Sequence, residues 1–365
     1  MRKIKVANIV GARPNFMKIA PIHRRMQESP LFEPVLIHTG QHYDEKMSKT
    51  FFVDLEMPEP DVYLGVGSGT HATQTAAVLV ETEKILLELK PDVLIVVGDV
   101  NSTLAAALAA TKLHIPVAHV EAGLRSFDRN MPEEINRLLT DSISDFMFVT
   151  EQSGLDNLAH EGVPEDKVHF VGNVMIDSLC FNLEKADRIP VFEQYKLEPQ
   201  KYALMTLHRP SNVDDEKVLR GILSALKNIQ QHIPVLFPIH PRTRKMISQF
   251  GLDDEIAEMP QFLFVEPLGY LTFLNLMKNS RFLITDSGGI QEETTYLRIP
   301  CITLRENTER PVTVDIGTNQ LVGMQPDRIL MAFEKAMNGS FNDAKIPELW
   351  DGNASQRIVN ILEQL

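Results

Sequence analysis

Only two cysteines, Cys180 and Cys301, and one tryptophan occur in 365 residues. Two thiols so far apart make no disulfide framework and point to a reducing compartment. No apolar run approaches the roughly 20 residues of a bilayer span, so no membrane partner is expected. Cations are outnumbered, 36 Lys and Arg against 49 Asp and Glu, for a net charge of −13. That excess argues against binding a nucleic-acid backbone. A single small anion is still compatible, because a helix N-terminus or a local guanidinium pocket holds one. A GxxxxGK[S/T] phosphate loop is missing, as is a Gly-x-Ser-x-Gly elbow. Gly65-Val-Gly-Ser-Gly69 lacks the preceding buried strand and the spaced third glycine of a dinucleotide fingerprint. No His, Cys, Asp and Glu set has metal-ligand spacing, so neither a metal nor another cofactor is expected.

What is present is an alternation of short apolar runs and helical stretches. Strands are predicted at 4–10, 35–39, 93–97, 115–120, 146–149 and 168–171; the turn 11–18 opens a helix through about Met26, 98–103 opens another to about Leu113, and helices are also predicted near 45–55 and 71–89. Met1-Arg-Lys3 resembles the start of a signal peptide, but the first strand runs directly into the Gly11-Ala-Arg-Pro14 turn, so a cytoplasmic location is expected. Turn residues weaken the pattern over 184–200, and a second alternation follows at 202–206, 235–239, 262–265, 282–285 and 301–304. The two halves echo each other. Strand 93–97 leads to Gly98-Asp99, a helix, Ile115-Pro116 and Glu121; strand 282–285 leads to Asp286-Ser-Gly-Gly289, a helix, Ile299-Pro300 and Glu306. The expected fold class is α/β, two Rossmann-like doubly wound domains facing a cleft. The N-terminal domain is placed at 1–175 and the C-terminal domain at 176–354, with a last helix over 355–365 able to pack back on the first.

The densest chemistry follows the run Ile115-Pro-Val117, where Glu121, Arg125, Asp128, Arg129, Glu133, Glu134 and Arg137 fall within 17 residues. Ligands of parallel α/β sheets bind beyond the carboxyl ends of strands. The same residues also suit plain helix capping: Pro132 fits a first turn, Asn130 and Glu133 have capping-box spacing, and Glu133 with Arg137 has the spacing of a surface ion pair. Asp99 ends the most apolar strand, where partial desolvation suits acid–base work, although it could equally cap the next helix. Asp286-Ser-Gly-Gly289 opens a helix and is the best anion site, ahead of a plain N-cap with tight helix packing. Glu293, one turn further in, suits a ribose diol or is equally an exposed helix glutamate. Arg13 and Lys18 could neutralise a diphosphate or be ordinary surface cations. His208, after strand 202–206, could donate a hydrogen bond or a proton to a phosphate or be a satisfied histidine at a strand end, and His240 is similarly placed but ranks below it.

Taken together, Gly11-Ala-Arg-Pro-x-x-x-Lys18, Gly98-Asp99, His119-Val-Glu-Ala-Gly-Leu-Arg125, Pro132-Glu-Glu-x-Asn-Arg137, His208-Arg209, Asp286-Ser-Gly-Gly-Ile-Gln-Glu-Glu293 and Thr308-Glu-Arg-Pro311 resemble the non-hydrolysing UDP-N-acetylglucosamine 2-epimerases, in order along nearly the whole chain. The resemblance implies a glycosyltransferase-B type fold. It also implies interconversion of UDP-GlcNAc and UDP-ManNAc by elimination and re-addition of UDP through a 2-acetamidoglucal, in a cytoplasmic homodimer serving polysaccharide synthesis. By resemblance, Asp99, Glu121 and Glu133 are the acid–base groups. Arg13, His208, Ser287, Gly288 and Gly289 hold UDP, Lys18 and Arg137 are further active-site residues, Glu293 binds ribose and Phe273 lies beside uracil. Gln41 and His42 match part of a regulatory UDP-GlcNAc site, where Tyr43 stands in place of a common arginine. Pro210-Ser211 differs from the commoner residues after His208-Arg209.

Overall fold

The computed structural model describes residues 2–41, 56, 59–339 and 343–365, with the side chains of Arg13 and Pro14 excepted. The expectations for His42, Tyr43 and a helix over 45–55 fall outside the described residues. The chain divides into two units, Met1–Phe181 with Glu348–Leu365, and Asn182–Pro347.

Among the described residues, the first unit holds seven strands: β1 (Ile4–Val10), β2 (Phe32–His38), β3 (Val62–Tyr63), β4 (Val93–Val97), β5 (Val117–Ala122), β6 (Phe146–Val149) and β7 (Val168–Phe170). They form one sheet in the order β3-β2-β1-β4-β5-β6-β7, with every pairing parallel. β4 reads Val-Leu-Ile-Val-Val and is buried throughout, as a central strand covered on both faces must be. The helix Asn101–Lys112 packs here through Ala105, Ala106, Ala107, Ala109 and Ala110, whose small side chains let its backbone approach closely.

The second unit holds β8 (Ala203–Met205), β9 (Val235–Pro238), β10 (Phe262–Val265), β11 (Phe282–Thr285), β12 (Cys301–Thr303) and β13 (Asn319–Leu321). Their order, β10-β9-β8-β11-β12-β13, repeats the third-second-first-fourth order of the first unit. The winding reverses between β1 and β4 in one unit and between β8 and β11 in the other, and such a reversal opens a crevice at the strands' carboxyl ends. Both units are therefore Rossmann-like and doubly wound, the pair found in the glycosyltransferase-B type. β3 and β13 were not foreseen: two residues make no pattern, and Asn319-Gln-Leu321 has no apolar run.

The chain leaves the first unit within the helix Val174–Asp187 and returns at Glu348. Its last helix, Ala354–Leu362, is tied to that unit by Asp177, whose two carboxylate oxygens accept the Ala354 and Ser355 N–H groups at 3.0 and 2.7 Å. Trp350 Nε1 donates to the Thr150 carbonyl at 2.9 Å.

Candidate active site

In the first unit, the turn after β1 starts the helix Arg13–Glu28. Asn15 Oδ1 accepts the Gly11 and Ala12 N–H groups at 3.2 and 3.0 Å, and its Nδ2 donates to the Val97 carbonyl at 3.1 Å. One side chain thus joins the ends of β1 and β4 across the winding reversal. One helical turn beyond Asn15, Lys18 is buried and its Nζ lies 2.6 Å from Glu121 Oε2, which is also buried. A Cβ added to Gly98 would stand 3.2 Å from that ammonium, and Gly98 has φ +69°. Both facts favour glycine where β4 turns toward Asp99.

Glu121 itself has φ +71°, a conformation that costs a non-glycine residue about 1–3 kcal/mol. The cause is visible in the sheet. The β5–β6 register shifts between Val120 and Ala122, so Glu121 is the extra residue of a bulge and its side chain is re-aimed. Arg137 secures the same point. Its guanidinium donates to the Glu121 carbonyl, reaches Asp99 Oδ2 at 2.5 Å and lies 3.8 Å from Glu121 Oε2. Asp99 is the more open carboxylate, its side chain 26% exposed against 0% for Glu121. Two carboxylates and two cations are thus gathered at the reversal of the first sheet.

The helix Pro132–Ile143 carries more of this than the sequence suggested. The predicted capping box is absent: Met131 is the N-cap, without a side-chain bond, and Asn130 Nδ2 donates to Asp128 Oδ1. Glu133 is exposed on the first turn, and Arg137 points inward rather than forming a surface pair with it. Glu134 is buried and accepts Ser126 N–H and Oγ–H at 2.7 and 2.8 Å and Phe127 N–H at 3.2 Å, fixing the loop after β5. Glu134, Arg137 and Asp141 are spaced at three and four residues and so share one buried face. That charged helical stripe was a readable signal. Asp141 accepts from Arg125 Nη1 at 2.7 Å and lies 2.6 Å from His119 Nδ1. Burial alone would raise its pKa, but His119 and Arg125 outweigh burial and hold it below the ordinary value.

Gln41 is buried beside the start of the helix Asn101–Lys112. Its Oε1 accepts Ser102 N–H and Oγ–H at 3.0 and 2.6 Å, and Gln74 Nε2 donates to its carbonyl.

In the second unit, Asp286 joins β8 to β11 as Asn15 joins β1 to β4. Its Oδ2 accepts the His208 and Arg209 N–H groups at 2.8 and 2.7 Å, and its Oδ1 lies 2.8 Å from His208 Nδ1. Burial pushes its carboxyl up, but His208 and the two backbone donors prevail and bring the pKa down. The His208 side chain remains 42% exposed. His240 sits 5.6 Å from it, ring to ring, and burial, with His208 nearby, lowers the His240 pKa.

Ser287 is the N-cap of the helix Gly288–Leu297 and makes no side-chain capping bond. A Cβ at Gly288 would lie 3.3 Å from Arg310 Nη1 and 3.9 Å from Arg305 Nη1, so two guanidiniums stand at this helix start. Glu309 accepts both terminal nitrogens of Arg305, at 2.9 and 3.1 Å, and Glu292 Oε1 lies 2.6 Å from Arg310 Nε. Burial works against ionised Glu309, yet Arg305 and Arg310 hold its pKa at about 2. Helix dipole and fixed guanidiniums together favour an anion at Ser287, Gly288 and Gly289. Glu293 is buried and accepts Tyr270 Oη–H at 2.8 Å. Phe273 is half-buried on the helix Tyr270–Lys278, the helix that carries Tyr270.

The structure therefore gathers Lys18, Asp99, Glu121 and Arg137 in one unit, and His208 with Asp286, and Glu293 with Tyr270, in the other. Arg13 lies at the first helix's N-terminus, with its side chain outside the described atoms.

A family model described as UDP-N-acetylglucosamine 2-epimerase matches residues 24–363. The UDP-N-acetylglucosamine 2-epimerase of Methanocaldococcus jannaschii is 46% identical over 364 residues, covering 98% of this chain and 99% of that protein. The UDP-2,3-diacetamido-2,3-dideoxy-D-glucuronate 2-epimerase of Pseudomonas aeruginosa is 41% identical over 367 residues, covering 99% of this chain and 100% of that protein. A crystal structure of the M. jannaschii enzyme in complex with UDP-GlcNAc and UDP superposes with a TM-score of 0.91 at 45% identity, over 99% of this chain and 100% of that one. With the family model spanning nearly the whole chain and relatives this similar end to end, the chain belongs to the UDP-N-acetylglucosamine 2-epimerase family.

Proposed function

We propose that the chain interconverts UDP-N-acetylglucosamine and UDP-N-acetylmannosamine. The observation that carries this reading is the group formed by buried Lys18, Glu121 and Arg137 with the more open Asp99, at the winding reversal of the first sheet. The C2 proton of the sugar is too weakly acidic for simple removal and return. Elimination avoids that: a carboxylate takes the C2 proton, the C1–O bond breaks, UDP leaves with the bonding pair, and a C1=C2 double bond forms. Re-addition of UDP to C1, with a proton delivered to the other face of C2, gives the epimer. Two faces require at least two acid–base groups, and Asp99, Glu121 and Glu133 are the candidates. Lys18 and Arg137 keep the first two in place and offset charge as it shifts.

The departing diphosphate is held by Arg13, His208 and the helix start at Ser287, Gly288 and Gly289, while Glu293 takes the ribose and Phe273 lies beside uracil. The fixed Arg305 and Arg310 behind Gly288 support that assignment. Gln41, with His42, contributes to a second, regulatory UDP-sugar site. The enzyme works as a cytoplasmic homodimer that feeds polysaccharide synthesis. Among the described residues, no helix is long and apolar enough to cross a membrane.

Incubation with UDP-GlcNAc in D₂O, followed by NMR at C2, tests the reading. Deuterium at C2 with UDP-ManNAc and no lasting UDP release is expected; absence of exchange with any UDP-N-acetylhexosamine overturns it. The similarity to the P. aeruginosa enzyme favours a second reading, C2 epimerisation of a UDP-diacetamido uronic acid. The same assay with that sugar separates the two by kcat/KM.

A further inference from the structure

The reaction as proposed makes no use of His119, yet this ring is wholly buried within the acidic group's surroundings. His119 lies on β5, two residues before Glu121. Its Nε2 is 2.8 Å from the Gly98 carbonyl oxygen, and its Nδ1 is 2.6 Å from Asp141 Oδ1. A carbonyl oxygen only accepts, so Nε2 carries a proton. Nδ1 and the carboxylate share another.

Asp141 is itself fixed. Its Oδ2 accepts Gly123 N–H at 3.0 Å and Arg125 Nη1 at 2.7 Å, and Arg125 forms a two-pronged pair with Glu161 at 2.8 and 2.7 Å. The chain Glu161–Arg125–Asp141–His119 thus ends on the carbonyl of the peptide bond that leads into Asp99. It also brackets Glu121, binding the side chain two residues before it and the N–H two residues after it. A glutamate in the left-handed region persists only where its surroundings over-determine it.

We infer that His119 is a positioning residue: oriented by Asp141, it holds the Gly98–Asp99 turn and the bulge at Glu121 so that both carboxylates meet the sugar. This rests on the reading of Asp99 and Glu121 as proton-transfer groups. A histidine that merely fills the core would leave turnover tracking stability. A positioning histidine instead affects kcat through the Nε2 bond.

His119→Gln and His119→Asn separate these roles. The glutamine amide reaches as far as Nε2 and keeps a donor for Gly98, whereas the asparagine amide reaches only as far as Nδ1. The expected result is kcat within about tenfold of the parent for His119→Gln and lowered roughly a hundredfold for His119→Asn, with KM and UDP affinity little changed in both. Equal kcat in two folded variants, or a change confined to KM, overturns the inference. Should either variant fail to fold, ¹⁵N-histidine NMR of the unaltered protein decides. An Nε2–H signal protected from water, on a ring whose Nδ1 proton is shifted far downfield, is expected; a ring without a proton on Nε2 refutes it. Absence of C2 exchange in the parent would sink the functional reading instead, and the ring signals would still judge the positioning.

Discussion

Lys18 Nζ and Glu121 Oε2 meet at 2.6 Å, both side chains buried, and the glutamate reaches that point by taking φ +71°. A strained residue bearing a buried charge contributes little to stability on its own account. The bulge, the ammonium and the Arg137 bond to the Glu121 carbonyl all hold one carboxylate at the end of β5.

Glu121→Gln should lower turnover about a hundredfold or more, with UDP still bound through the second unit. It should also cost about 3–5 kcal/mol of stability, because a buried ammonium loses its partner. The double variant Lys18→Met with Glu121→Leu should regain stability while remaining inactive. Turnover, UDP calorimetry and urea unfolding of the three proteins check this, and an active Glu121→Gln protein removes the residue from the mechanism.

Arg137→Lys keeps the charge but loses the fork that joins Asp99 Oδ2 to the Glu121 carbonyl. A single ammonium cannot span both. The variant should fold and turn over roughly tenfold or more slowly. Unchanged kcat would show that the fork is dispensable.

Acid sensitivity should trace in part to Glu309. Its pKa falls from an ordinary 4.5 to about 2 because Arg305 and Arg310 outweigh burial. A depressed carboxylate pKa stabilises the fold above the unfolded value and loses that contribution as pH falls through the folded one. The stability gap between the parent and Glu309→Gln should therefore be full above pH 4.5 and close toward pH 2. Unfolding curves across that window test it; a gap independent of pH contradicts it.

Trp350 is the sole tryptophan, 2% exposed, with Nε1 bound to the Thr150 carbonyl. Its emission should be blue-shifted, move to the red only as the first unit opens, and ignore UDP held by the second. Trp350→Ala should cost about 3–5 kcal/mol. A large emission change on adding UDP alone would contradict this division.

Much of the fold was legible because its strongest signals are local. The run at 93–97 is continuous and apolar, and it became the central strand. β13 stayed hidden because Asn319-Gln-Leu321 is a strand only by pairing with β12. Within the candidate site, Glu133 and Glu134 are neighbours of the same chemistry. Helix phase turned Glu134 inward and left Glu133, the one of the two that the family resemblance singles out, exposed. Arg137, whose spacing suits a surface pair but which the resemblance places in the active site, is almost wholly buried.

By itself, the order of residues determined the α/β alternation, the duplicated winding, the stock of carboxylates and cations, and the family, since each is written in contiguous stretches. The partners were decided by the tertiary structure alone. Lys18 and Glu121 are 103 positions apart and Arg137 and Asp99 are 38 apart. Only the parallel sheet brings the ends of β1, β4 and β5 side by side. The left-handed turn at Glu121 has the same origin: a bulge exists only between two paired strands, so no single stretch of sequence contains it.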